Sequence, residues 1–316
     1  MAVTGKQIKT DYIINSRPWW KFSQRQSMAY LMVLPSILVI VLVVFLPISQ
    51  TIWLSLNDYD KRIQQQPDFI GLQNYIDSFT KESLRTRLLD AFGFTTGFAL
   101  ISVGLEFVFG MGVALVLNQQ FRGRALVRAV VLIPWSLTTV VVARMWGLIY
   151  NSEYGVLNSI LKSLGLIDKD ILWTANKGIT FWAVTFADVW KSTPFVALIL
   201  LSGLQLISGD LYEAARVDGA TWLQSFWHIT LPGLRPTILV ALLFRTIDAS
   251  RIFDMVFVLT EGGFGTESLN YYTYQELFRK QNFGFGSSLA VITFCYIMII
   301  AIIYIKVLGN REDQQR

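Results

Sequence analysis

Six stretches of this chain, at roughly 29–56, 92–117, 126–150, 179–207, 234–260 and 286–308, are apolar for more than twenty residues each. About 20 such residues in a helix cross the hydrocarbon core of a bilayer, and inside it each backbone N–H and C=O must find a partner within the protein. The spacing therefore predicts an all-α, polytopic membrane protein with six transmembrane helices. Composition agrees, with 53% hydrophobic residues, 16% charged residues and a mean hydropathy of +0.47. Lys6, Lys9, Arg17, Lys21 and Arg25 precede the first span, but no small-residue cleavage site comes after it. It reads as a retained span rather than a removed leader. Pro35 and Pro47 are expected to kink it. The pairs Trp19-Trp20 and Tyr271-Tyr272 flank spans, as interfacial anchors do.

Orientation is set by Lys and Arg. With the N-terminus inside, the inner segments hold 13 of them and the longer outer loops 10, diluted by 12 acids. The short 118–128 loop is purely basic, through Arg122, Arg124 and Arg128, which favours N-in and C-in. The net charge of +5 thus reflects topology and gives no support to nucleic-acid binding. Cys295 and His228 are the only residues of their types, so an internal disulfide and a Cys- or His-rich metal cluster are excluded. No Gly-x-x-x-x-Gly-Lys-Ser/Thr loop occurs, so the chain does not bind ATP by a P-loop, and no Ser/His/Asp set or His-Glu-x-x-His is present.

One connection between spans is polar yet helical in pattern. It reads Glu213-Ala214-Ala215-Arg216-Val217-Asp218-Gly219-Ala220, with Ile229-Thr230-Leu231-Pro232 a little further on. Asp210 is placed to cap its first turn, with Glu213 at capping-box spacing. Gly219 should interrupt the helix, and Pro232 should end the segment after that interruption. Together, these residues resemble the signature loop of ABC-importer permeases. The resemblance continues in order through Phe69-Ile70-Gly71-Leu72-Gln73-Asn74-Tyr75, Leu132-Ile133-Pro134-Trp135, Tyr154-Gly155-Val156-Leu157-Asn158, Trp190-Lys191-Ser192-Thr193-Pro194-Phe195 and Leu259-Thr260-Glu261-Gly262-Gly263. The chain is similar to the sugar-type maltose/trehalose/glycerol-phosphate branch. The run Ala241-Leu242-Leu243-Phe244-Arg245-Thr246 through Asp254 resembles trehalose-type permeases most. The chain lacks the large outer insertion and extra N-terminal helices of enteric maltose permeases.

The resemblance implies the fold of type I ABC importer permeases. It implies a cytoplasmic arm at 1–28, a transmembrane permease domain at 29–308 with a coupling loop at 208–232, and a tail at 309–316. In that family the loop docks into a groove on a separate ATPase. That implies an ATPase-coupling role for Glu213, Ala214, Ala215, Asp218, Gly219 and Ala220. The implied partners are a second permease subunit, two ATPase subunits that bind ATP and Mg, an extracytoplasmic solute-binding protein and membrane lipid. The chain itself would hold no cofactor and no metal and would not be an enzyme. Its place would be the bacterial cytoplasmic (inner) membrane.

Away from the span ends, eight charged residues fall inside the spans: Glu106, Arg144, Asp188, Lys191, Arg245, Asp248, Arg251 and Asp254. An unpaired charge at bilayer depth costs roughly 2.5–3.5 kcal/mol by insertion measurements, so such residues are seldom idle. Asp188 and Lys191, and Arg245 and Asp248, lie near the midplane at about 1.5 Å per residue. Arg245, Asp248, Arg251 and Asp254 recur every third residue and would form one stripe along an uninterrupted helix.

Two readings stand. The charges neutralise one another in helix packing, as Asp248 with Arg245 or Arg251 and Asp188 with Lys191. Alternatively they form a polar wall, where carboxylate and guanidinium bind sugar hydroxyls in two-pronged fashion. In the resembling family, solute contacts come from the middle of the helix after the signature loop. The substrate-pathway candidates are accordingly Arg245, Asp248, Ala249 and Arg251, with Lys191 and Trp190 nearby. Glu106 and Arg144 read as interhelical structure, and His228 as a surface or interface residue. The function expected is a permease subunit that imports a sugar by alternating access, the sugar being a disaccharide or glycoside such as trehalose. Glycerol-3-phosphate is the alternative, since Arg245 and Arg251 suit a phosphate while Asp248 and Asp254 repel it. An ion-coupled secondary transporter, with Asp188, Asp248 or Asp254 carrying the ion, is a further rival, although no inverted repeat is visible.

Overall fold

The computed structural model describes residues 24–312. They fall into two compact units that divide between Gln50 and Thr51. The first is most of one helix, α1. Gln24–Ile40 passes through a widened turn, Val41–Phe45, into Leu46–Ser55. Leu46 N–H reaches back five residues to the Val41 carbonyl, immediately before Pro47, which has no N–H to continue the ladder. Between Met28 and Ser55 an 18-residue window reaches a mean hydropathy of 3.0, ample for a span. The expected arm is helical from Gln24 onward, and its residues before 24, with Trp19-Trp20, lie outside the described residues.

The second unit includes two short antiparallel strands, β1 (Asn57–Asp58) and β2 (Asp68–Phe69), and the helix α2 (Gln73–Thr80). Asn74 Nδ2 donates to the carbonyls of Ser55 and Asn57, at 3.0 and 2.9 Å, which fixes α2 against the chain segment leading into β1. Lys81 then turns extended and starts α3 (Glu82–Asn118). The Lys81 ammonium, 2.6 Å from Asp77, holds that carboxyl below its ordinary range. The second span therefore begins ten residues before the apolar run does.

The expected third span is two helices, α4 (Arg124–Ser136) and α5 (Thr139–Ile149), which meet at 93°. Pro134 lies inside α4, and both Leu137 and Thr138 are extended, so the helix cannot run through. After α6 (Val156–Ser163), α7 (Lys177–Leu204) crosses without a break and has 61% of its span window buried. It is the central helix, and that window's mean hydropathy is only 1.4, as suits a helix whose partners are protein. The loop helix α8 (Gly209–Val217) leads to α9 (Trp222–Gly233), which bends by 67° into α10 (Arg235–Ala249).

The expected fifth span then breaks. Ser250 to Phe253 leave the helix, and α11 (Asp254–Leu259) resumes it. The stripe expected from Arg245 to Asp254 is thus split over two helices. The freed carbonyls are satisfied from the following loop. Ser268 Oγ donates to Ile252 O and Asn270 Nδ2 to Arg251 O, both at 2.8 Å. A broken membrane helix is tolerated where protein groups supply such partners. The helix α12 (Leu269–Tyr274) buries Tyr271 and Tyr272 completely, so this pair packs in the core rather than anchoring at an interface. The last helix, α13 (Phe283–Glu312), extends into the expected 309–316 tail. Among the described residues, four helices are long and apolar enough to span, or six if each bent pair is one span.

Two apolar clusters hold α3, α7 and α10 together. One surrounds the break, with Phe98, Val142, Val184, Ala187, Ala249, Met255 and Tyr271. The other lies toward the 208–232 loop, with Met111, Leu117, Val196, Leu200, Leu204 and Leu234. At that end α7 and α10 touch backbone to side chain. A β-carbon on Gly203 would lie 2.5 Å from Thr237 Oγ1 and 2.8 Å from Leu234 Cδ2. Gly203→Leu is expected to lower stability by about 1–3 kcal/mol through overpacking. Gly104→Ala, which meets nothing within 4 Å, should not, and thermal unfolding of the two variants in detergent makes the comparison.

Candidate functional site

The signature loop is a built corner. The N-cap of α8 is Ser208, whose hydroxyl accepts from Asp210 N–H at 3.3 Å, while Asp210 occupies the first turn. The expected cap, Asp210, is displaced because the helix begins earlier and places its side chain beyond the cap position. At the other end Ala220 N–H bonds Ala215 O (2.8 Å) and Gly219 N–H bonds Arg216 O (3.1 Å), with Gly219 at φ +78°. This is the Schellman ending, in which a left-handed residue, best a glycine, closes the helix. The capping box falls in the next helix, where Thr221 and Gln224 cap each other reciprocally. Pro232 is the last residue but one of α9, and the 67° bend follows it at Leu234, so the segment ends where expected.

This corner presents Glu213, Ala214, Asp218 and Gly219 to the outside, with Ala215 and Ala220 half-buried beneath. Among the described residues the one ion pair of Glu213 is with Arg216 at 3.8 Å, and both side chains are over 70% exposed. A shallow cleft of about 310 Å³, lined by Ala215, Asp218, Gly219, Ala220, Gln224 and His228, runs beside it. Tyr212 Oη and Thr230 Oγ1, 2.9 Å apart, tie α8 to α9. Through its bend α9 continues into α10, the helix that carries Arg245 and Asp248.

There one guanidinium gathers three carboxylates from three helices. Arg245 on α10 donates through Nε and Nη2 to Glu106 on α3, with Nη2–Oε1 at 2.9 Å. Nη2 also meets Asp188 on α7, and Nη1 donates to Asp248 at 2.6 Å. Glu106 is fully buried and Arg245 is 3% exposed, but the Asp248 side chain is 75% exposed. Along α3 and α7 this cluster sits between the two apolar clusters, where it bonds three helices that otherwise share mainly apolar contacts.

A narrow cleft of about 90 Å³ opens onto it. Five of the six expected pathway residues line that cleft: Lys191, Arg245, Asp248, Ala249 and Arg251, with Asp188, Ser192 and Asp254 alongside. Trp190 does not. It packs edge-on against Trp146 and borders a separate apolar cleft of about 810 Å³. Of the expected neutralising pairs, Arg245–Asp248 forms, whereas neither Lys191 nor Arg251 has a carboxylate within 4 Å among the described residues. Arg144, expected between helices, is exposed and likewise unpaired among the described residues. Asp188 and Asp248, two of the carboxylates suggested for a coupling ion, are already engaged by Arg245.

Residues 106–311 match the family described as binding-protein-dependent transport system inner membrane component. The chain is 41% identical to a trehalose/maltose transport system permease protein of Thermococcus litoralis, over 90% of this chain and 95% of that protein. It is 36% identical to a trehalose transport system permease protein of Mycobacterium tuberculosis, over 97% and 96%. Its fold resembles a chain of a bacterial ABC transporter involved in the import of the acidic polysaccharide alginate, with TM-score 0.77 and 22% identity over 91% of this chain and 96% of that one.

Proposed function

The chain belongs to the inner membrane components of binding-protein-dependent transport systems, and from that premise we propose that it is the permease subunit of an ATP-driven importer of a neutral disaccharide such as trehalose. The observation that carries this reading is the continuous path from the exposed Glu213 corner, through α9 and α10, to the charged cleft at Arg245 and Asp248. The corner faces the cytoplasm, N-terminus and C-terminus inside, and docks on an ATPase subunit. Two ATPases, which hold ATP and Mg, close together and draw the corner of this chain toward that of a second permease. The bundle then switches between inward- and outward-facing states around the cleft, and a solute-binding protein delivers the sugar outside. Asp248, held by Arg245 yet exposed, offers carboxylate oxygens to sugar hydroxyls. A neutral solute fits because the Arg245 charge is already offset by three carboxylates.

A second reading rests on Lys191 and Arg251. These are cations at the same cleft without a carboxylate of their own among the described residues, and they would suit the phosphate of glycerol-3-phosphate.

The test is to purify the tagged chain from its native membrane with whatever accompanies it. Vanadate-sensitive ATP hydrolysis is then measured with neutral disaccharides and with glycerol-3-phosphate, in the presence of the binding protein. Co-purification of a P-loop ATPase and a second permease, with stimulation by a disaccharide, is expected. Stimulation by glycerol-3-phosphate alone selects the second reading, and a lone chain without ATPase activity refutes both. Within the cleft, Asp248→Ala is expected to raise the half-saturating solute concentration by about tenfold or more, as loss of a hydrogen bond to a charged group does. Glu106→Ala should raise it less. The reverse order moves the binding site away from α10.

A further inference from the structure

Resting on the reading that this cleft is the solute pathway, we propose that Glu106 is a positioning residue that sets solute affinity through Arg245 without touching solute. Glu106 is wholly buried on α3 and does not line the cleft. It grips the guanidinium at two nitrogens, Nε and Nη2, and so fixes the plane of the group and not only its place. On the cleft side Nη2 also meets Asp188, and Nη1 holds Asp248 Oδ2 at 2.6 Å. Asp248 Oδ1 accepts no hydrogen bond among the described residues, so it is the oxygen free for solute.

The backbone alone does not fix where the Asp248 carboxylate points. The helix carrying Asp248 stops at Ala249, and the chain goes on through a turn in which Arg251 N–H bonds Asp248 O at 3.0 Å and Ile252 N–H bonds Ala249 O at 3.1 Å. Those bonds hold the backbone, while the carboxylate itself is aimed by Arg245, whose guanidinium is set by Glu106. With the Glu106 charge removed, the guanidinium loses its two-point anchor and is left to Asp188 and Asp248 alone. It then draws the Asp248 carboxylate away from solute, and the site must reorganise on binding. Preorganisation of this kind appears in affinity, with a smaller effect on turnover.

The experiment uses the complete transporter in lipid nanodiscs, with saturating binding protein, and radiolabelled trehalose and glycerol-3-phosphate as probes. Glu106→Gln is nearly isosteric but uncharged. It is expected to raise the half-saturating concentration roughly three- to tenfold, less than Asp248→Ala does, with a much smaller change in maximal rate. Glu106→Asp keeps the charge on a shorter stem and should recover part of that loss. An unchanged half-saturating concentration in Glu106→Gln, while Asp248→Ala raises it, overturns this inference and leaves the pathway reading intact. No effect of Asp248→Ala, or a wild-type complex that responds to neither probe, overturns both. Failure of both Glu106 variants to assemble assigns the residue to helix packing alone and also overturns the inference.

Discussion

Glu213→Lys is expected to abolish solute-stimulated ATP hydrolysis and uptake while the helix bundle still folds. Both halves of that expectation come from the geometry. The Glu213 side chain is 73% exposed, and among the described residues its one ion pair is with an equally exposed Arg216 at 3.8 Å. Such a pair contributes about 0–1 kcal/mol to stability, so the variant's thermal midpoint should stay near that of the parent. Docking is different. A charge pair covered by a partner subunit costs about 2–5 kcal/mol when one side is lost, and a reversal adds repulsion. That converts to a loss of roughly a hundredfold or more in the coupled rate. The measurement is co-purification of the ATPase with the variant, alongside sugar-stimulated hydrolysis and the thermal midpoint. Wild-type transport in this variant removes the docking role. A collapsed midpoint shows that the corner is structural.

Arg245→Met should act in the opposite way, through stability. The substitution preserves most of the buried stem but leaves Glu106 and Asp188 with no cation, deep in the bundle. Removing one partner of a buried ion pair costs about 3–5 kcal/mol, and three carboxylates share this one guanidinium. The variant should accumulate poorly in the membrane and unfold at markedly lower temperature. Replacing the buried carboxylates as well, in Arg245→Met/Glu106→Leu/Asp188→Leu, should restore much of the stability, because apolar packing often matches a buried ion cluster. Transport should not return, since Asp248 would have lost its tether. A single variant as stable as the parent would contradict a cluster in which Arg245 is the common cation, and fluorescence-detected size exclusion after heating tests both proteins.

The helices were largely legible because a bilayer span needs a long apolar run and little else. Where legibility failed, the causes were local. The third apolar run, 126–150, contains a right-angle bend because Pro134 and two extended residues stand inside it. The fifth run hides the break at Ser250–Phe253, a segment with no Pro or Gly to mark it. Its stabilising partners, Ser268 and Asn270, lie well over ten residues further on. At the signature loop the Gly219 ending was legible, since only a left-handed residue closes a helix so tightly. The capping residues were displaced from Asp210 and Glu213 to Ser208 and the pair Thr221 and Gln224, because more than one Ser, Thr or Asp could serve.

In the cleft, the Arg245–Asp248 pair was visible as an i, i+3 spacing, which helical geometry alone brings together. Glu106 lies 139 residues away from Arg245, and no periodicity relates the two. The expected Asp188–Lys191 pair gave way to Asp188–Arg245 because α7 faces α10 with its acid, not its lysine.

By itself, then, the sequence determined that the chain is helical and crosses a membrane, that one polar corner interrupts it, and which charges lie at depth, because hydropathy, glycine and helical spacing act within a few residues. Only the tertiary structure decided where the spans bend, which oxygens stand at the cleft and which carboxylate holds Arg245 from behind. Those choices depend on which side chains of distant helices meet, and a buried charge bonds to the nearest available partner in space, whatever its separation along the chain.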